Sequence, residues 1–159
     1  VGTVDAYYEA NMDLVSVEPE LNMYDEKWPI RTFNRNLPPP KFVFRRGEGE
    51  DRCGMAADSI VCPGTIISGG QVERSVLGRN VRIHSYSSVE GSILFDEVSI
   101  GRHAKIKNAI IDKRVEVPPG AVIGFDPDED RRRGFSVTKS GVVVIASGIG
   151  IEQTEPVPA

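Results

Sequence analysis

The chain has 159 residues, 40% of them hydrophobic, and a net charge of −4, the profile of one compact globular domain with at most an appended segment. The acidic balance argues against nucleic acid as the main partner, the longest apolar run, residues 142–146, is too short to cross a bilayer, and nothing at the N-terminus resembles a signal peptide. Cys53 and Cys62 have no CxxC spacing, which fits two free thiols in a reducing cytoplasm and argues against a structural metal site.

In chain order, Val4, Tyr8, Met12 and Val15 recur at spacings of four, four and three, with Tyr7 and Leu14 flanking, and predict a short amphipathic helix over residues 3–15 capped by Thr3. A helix of that length is marginal in water, so its apolar stripe calls for a surface outside itself. Residues 19–40 form an extended connector carrying Trp28-Pro29 and Leu37-Pro38-Pro39-Pro40, sequences that favour polyproline-like backbone. Residues 41–44 read as a strand and 45–54 as a polar, glycine-bearing loop.

From Ile60 a seventeen-residue register begins: Ile60, Leu77, Leu94 and Ile111 stack in one column, Ile66, Ile83, Ile100 and Val117 in a second, and Val72, Val89, Ile106 and Ile123 in a third. All twelve positions are aliphatic, spaced six, six and five within each row, a pattern that neither a helix nor an alternating strand produces. The chain therefore winds into a three-sided solenoid of about four coils, roughly 20 Å tall at about 4.8 Å per coil. Small residues such as Ser75, Ser92, Ser87 and Ala104 recur at the corners, and Val76, Ile93 and Ile110 make a further apolar column. After the last coil, residues 126–134 read as an exposed charged turn, and residues 135–138 and 142–146 as a hairpin that caps the end. Three segments result: helix and connector over 1–57, solenoid over 58–127, and turn, hairpin and tail over 128–159.

The motifs Val1-Gly2-Thr3, Ala6 to Leu14, Pro19 to Asp25, Trp28 to Thr32, Leu37 to Val43 and His84 to Glu90, taken in this order, resemble the C-terminal part of the bacterial glucose-1-phosphate adenylyltransferases, also called ADP-glucose pyrophosphorylases. The likeness runs from Val1 to about Ile145. It implies a mainly β fold, a left-handed parallel β-helix of hexapeptide repeats. It further implies that a Rossmann-like domain upstream carries the reaction of ATP and glucose 1-phosphate to ADP-glucose and pyrophosphate, with Mg²⁺, for glycogen synthesis. In the family an aspartate that helps hold the metal directly precedes the Val1-Gly2-Thr3 motif, and this chain begins just after it, so the resemblance implies no catalytic residue, no metal ligand and no activity for this polypeptide alone. Its implied roles are packing on its own catalytic domain, building a homotetramer in the cytoplasm and sharing an allosteric site for sugar phosphates, with no nucleic-acid or membrane partner.

That site needs converging cations. The Ile110-Ile111-Asp112-Lys113 motif places Lys113 where the family keeps a basic residue for activators; the seventeen-residue register also sets Arg79, Asp96 and Lys113 in one column, so Lys113 has Asp96 as a rival partner, and Glu97 and Arg114 form a second such pair. Arg131, Arg132 and Arg133 follow Asp128, Glu129 and Asp130, and read equally as phosphate ligands beside Lys113 or as a turn balancing its own acids. Lys41, Arg45 and Arg46 are candidates to line an interdomain cleft for smaller effectors such as pyruvate, or are ordinary surface charges. The family's basic residue at the end of the final strand is missing from Ile145-Ala146-Ser147. The opposing reading is a stand-alone trimeric hexapeptide acyltransferase or scaffold. His84 and His103 are too few for a three-histidine zinc site in one chain, and the repeat places them at different corners.

Overall fold

The computed structural model describes residues 2–44 and 52–151. A helix, α1 (Val4–Asp13), is followed by β1 (Lys41–Val43), β2 (Met55–Ala57), β3 (Ile60–Val61), β4 (Ile66–Ser68), β5 (Gln71–Glu73), β6 (Val76–Leu77), β7 (Arg82–Ile83), β8 (Ser88–Glu90), β9 (Ile93–Leu94), β10 (Ser99–Ile100), β11 (Lys105–Lys107), β12 (Ala109–Ile111), β13 (Glu116–Val117) and β14 (Val122–Ile123), then α2 (Pro127–Arg132), β15 (Ser136–Val137) and β16 (Val143–Ile145). The strands build three sheets, ordered β1-β4-β7-β10-β13, β2-β5-β8-β11-β14 and β3-β6-β9-β12-β16-β15. Every pairing is parallel except the terminal β15–β16 hairpin. The fold is a left-handed parallel β-helix of about four coils, with β1 and β14 adding a strand at opposite ends.

The core is a stack of aliphatics, and its register corrects the sequence in the first coil. Val61, not Ile60, sits beside Leu77, and Ile67, not Ile66, beside Ile83. Ile67 is fully buried, whereas Ile66 and Ile60 are only half-buried. The first coil is therefore sixteen residues long, as the pairings Ala56↔Val72 and Val61↔Leu77 show, and later coils are seventeen, as in Val72↔Val89 and Leu77↔Leu94. The residue is lost at the corner between Ile67 and Val72, which turns through Gly69. A strand side chain alternates between faces, so a slip of one residue sends Ile60 and Ile66 outward and brings in the neighbour that each preceded.

The small corner residues do more than make room. Ser59 Oγ accepts from the Ser75 amide at 3.1 Å, Ser75 Oγ from the Ser92 amide at 3.1 Å and Ser92 Oγ from the Ala109 amide at 3.2 Å, a hydrogen-bonded serine ladder up one corner. Ser75 and Ser92 are buried, and there these bonds satisfy backbone donors that water cannot reach. A second ladder is ionic: Glu90 takes Arg74 from the coil below at 2.6 Å and Lys107 from the coil above at 3.4 Å.

The solenoid supplies the surface that α1 needs. Thr3 Oγ1 caps the helix by accepting from the Ala6 amide at 3.1 Å. The column Val76, Ile93 and Ile110 lies on the outer face of the third sheet, where Tyr7, Tyr8 and Met12 cover it. The Tyr8 hydroxyl donates to the Gly91 carbonyl at 2.5 Å, Tyr7 meets Phe95 edge to face at 6.3 Å, and Ser140 in the hairpin turn donates to Asp5 at 2.6 Å.

At the other end, residues 126–134 are not a turn but hold the short helix α2, capped by Asp126, whose carboxylate accepts from the Asp128 and Glu129 amides. The proline at the start of α2 and this cap favour a helix over an open turn. Asp130, buried, accepts from the Gly124 amide at 2.8 Å and fixes α2 to the last coil. Gly124 has φ +83° there, and a Cβ would fall 1.7 Å from the Lys107 carbonyl oxygen, so the position admits no side chain.

Candidate functional site

Lys113 stands in the corner that follows β12, exposed, with its amide donating to Asp112 Oδ1 at 2.8 Å. Asp112 Oδ2 accepts from the Ser147 amide at 3.2 Å, so this corner is tied to the end of the hairpin. Lys113 lies on a groove of about 370 Å³ between α1 and the third sheet, with Tyr7, Asn11, Phe95, Asp96 and Asp112 among its walls. The rival pairing with Asp96 does not form. Arg79 reaches Asp96 Oδ2 through Nε at 2.9 Å and Nη2 at 2.6 Å, and its amide donates to Oδ1 at 2.8 Å. Burial pushes the Asp96 carboxyl up, but the hydrogen bonds and charge of Arg79 outweigh it and hold the group below its ordinary value. Lys113 makes no ion pair among the described residues, nor do Glu97 and Arg114 pair with each other. The groove thus sets Lys113, without an ion pair among the described residues, beside an apolar wall of Tyr7 and Phe95, while Arg79 holds Asp96.

The three arginines of α2 each meet the acid three residues earlier: Arg131 with Asp128 at 2.8 Å, Arg132 with Glu129 at 2.5 Å and Arg133 with Asp130 at 3.6 Å. Arg133 also donates to the Val122 carbonyl at 2.6 Å and lies 5.0 Å over the Phe135 ring, so it clamps α2 to the last coil. Desolvation raises the Asp130 carboxyl, against the lowering effects of the Gly124 hydrogen bond and the Arg133 charge. Arg132 and Arg133 line a cavity of about 240 Å³ with Glu129, Phe135 and Gly150, and Lys113 is not on it. One Arg133 Nη atom is buried there without a partner. Of the two readings of these arginines, phosphate ligands beside Lys113 or a turn balancing its own acids, the ion pairs within the segment favour the second, and Lys113 lines a different cavity. Lys41 opens β1 on the first sheet, exposed, its amide donating to Thr65 O at 2.9 Å, and lines neither cavity. Arg45 and Arg46 lie outside the described residues.

His84 and His103 share one corner in successive coils, two slots apart, since each sits between a strand of the first sheet and one of the second. The expectation of different corners read slot for corner. His103 stacks on Tyr86 at 4.9 Å. Among the described residues no three His, Cys, Asp or Glu side chains come together as a metal site. No helix among them is long and apolar enough to cross a membrane.

The sequence of these coils and flanks matches known proteins. The chain is 62% identical to the glucose-1-phosphate adenylyltransferase of Rhodopirellula baltica over 93% of its own length and 33% of the relative's. It is 54% identical to the enzyme of that name from Deinococcus deserti, over 91% of this chain and 34% of the relative, and 53% identical to that of Anaeromyxobacter sp., over 96% and 36%. The chain thus spans about a third of the length of these relatives. A family model described as GlmU-like, C-terminal hexapeptide matches residues 38–145, which take in the whole coiled stack and the closing hairpin, and the chain belongs to that family.

Proposed function

We propose that this chain is the regulatory and assembly part of a glucose-1-phosphate adenylyltransferase, a nucleotidyltransferase that forms ADP-glucose and pyrophosphate from ATP and glucose 1-phosphate for glycogen biosynthesis in the cytoplasm. The observation that carries the reading is 62% identity across 93% of the chain to a relative of which it spans only 33%. Identity of that order over the coils, helix and connector together is far more specific than the hexapeptide repeat, which unrelated activities share. Catalysis and Mg²⁺ binding belong, in this reading, to the part of the relatives that the chain does not span.

The chain's own contribution is to sense anionic effectors and to hold subunits together in a homotetramer. Lys113 supports the first role, because it makes no ion pair among the described residues at a groove beside α1 while Asp96 is gripped by Arg79. The α2 arginines are a weaker support, each being partnered by an acid on its own helix. Assay of the chain with and without the upstream part of the relatives tests this division of labour.

A further inference from the structure

The closing hairpin touches two places that the sequence keeps far apart. At one end of β16, a single carboxylate holds both the Lys113 corner and the hairpin: Asp112 Oδ1 accepts from the Lys113 amide at 2.8 Å and Oδ2 from the Ser147 amide at 3.2 Å. The Asp112 amide in turn donates to the Ile145 carbonyl at 2.9 Å, and β16 runs parallel to β12 from Ala109↔Val143 to Ile111↔Ile145. At the other end, in the turn between β15 and β16, Ser140 donates to Asp5 Oδ1 at 2.6 Å, in the first turn of α1 and 135 residues away in sequence. Thr138 Oγ1 lies 3.1 Å from Ser140 Oγ and accepts from the Val142 amide at 3.1 Å, which fixes this turn. The Ser140 and Thr138 hydroxyls hold the Asp5 carboxyl below its ordinary value.

The hairpin is therefore a short strut anchored at both ends. β16 is a three-residue strand hydrogen-bonded to β12, so its ends move together unless the ladder breaks. Packing alone does not call for the anchor at Ser140. Tyr7, Tyr8 and Met12 already seat α1 on the outer face of the third sheet, with Val142 and Val144 of the hairpin in the same cluster. A hydrogen bond open to water, as between the exposed Ser140 and Asp5, adds little to stability. What the bond does supply is a fixed link from the element that holds the Lys113 corner to the start of α1. Hydrogen-bond networks joined to rigid elements are what carry energetic coupling between sites. The chain matches the C-terminal part of the relatives, so there α1 follows the polypeptide to which catalysis is assigned.

We propose that the β15–β16 hairpin is the strut that transmits effector binding at the Lys113 corner to α1, with Ser140 as the positioning residue that makes its last link, to Asp5. The inference rests on the reading of Lys113 as an effector residue and of the preceding part of the relatives as catalytic. Its test uses the complete enzyme, with glucose 6-phosphate and fructose 1,6-bisphosphate as probes, and measures their Kd by calorimetry separately from the activation they produce. Ser140→Ala is expected to leave the Kd and basal activity within about twofold while cutting maximal activation about fivefold or more. Ser140→Thr, which keeps the hydroxyl, retains wild-type activation. Asp5→Ala reproduces the loss, and combining it with Ser140→Ala adds nothing further. Hydrogen exchange of the Ala6 and Tyr7 amides, which donate to Thr3, slows on ligand binding in the wild type and not in Ser140→Ala. Full activation of Ser140→Ala, loss of binding rather than of activation, or failure of Ser140→Thr overturns the strut. Wild-type enzyme that neither sugar phosphate activates overturns instead the reading beneath it.

Discussion

Arg79 closes on Asp96 across one coil with two contacts to a single carboxylate oxygen, at 2.6 and 2.9 Å, and Lys113, one coil further on, makes no ion pair with that carboxylate. Stacked coils set like positions about 4.8 Å apart, so a carboxylate between two cations serves whichever grips it with better geometry. Arginine's planar fork does so more firmly than an ammonium on a flexible stem.

Lys113→Ala in the complete enzyme is expected to raise the sugar-phosphate concentration for half-maximal activation about tenfold, the effect of losing roughly 1.4 kcal/mol, with basal activity within about twofold. Arg79→Ala is expected to weaken activation as well, by releasing Asp96 to neutralise Lys113. Activation curves for the two variants check both effects, and an unchanged curve for Lys113→Ala removes this residue from the effector site.

The register of the first coil has a direct energetic consequence. Ile67→Ala removes a fully buried side chain and is expected to cost about 2–5 kcal/mol, while Ile66→Ala, half-buried on the other face, is expected to cost less than about 1.5 kcal/mol. Denaturant titration of the two variants distinguishes them, and equal losses contradict the sixteen-residue coil.

The solenoid was legible in the sequence because coils pack like on like: ten of the twelve column positions hold, and only Ile60 and Ile66 are displaced. Their displacement was invisible because Ile60-Val61 and Ile66-Ile67 are each an aliphatic pair, so hydropathy alone cannot say which member turns inward. The ionic ladder was missed because it runs diagonally: the register partner of Glu90 is Glu73, and a period of seventeen from Arg74 reaches Gly91. The surface for α1 was hidden differently. Val76, Ile93 and Ile110 were visible as a column, but only the coil geometry shows that they face outward. At the candidate site, residue types were legible and convergence was not: Lys113 and Arg133 are twenty residues apart, and the fold assigns them to separate cavities.

The Asp96 carboxyl, lowered in the folded chain, contributes stability that is present above its ordinary value and lost as pH falls through the folded one. Wild-type stability is therefore expected to fall on acidification through the carboxylate range, and Asp96→Asn to fall less over that range from a lower starting point at neutral pH. Thermal melts across this range check the sign. A variant that loses as much stability on acidification as the wild type contradicts the pairing with Arg79.

The central claim is that these coils regulate and assemble an enzyme whose chemistry lies elsewhere in the polypeptide. The most direct measurement is pyrophosphate release with ATP, Mg²⁺ and glucose 1-phosphate, comparing the 159-residue chain with the same chain joined to the upstream part of its relatives. The account predicts no turnover from the first and sugar-phosphate-responsive turnover from the second; turnover by the 159-residue chain alone would contradict it.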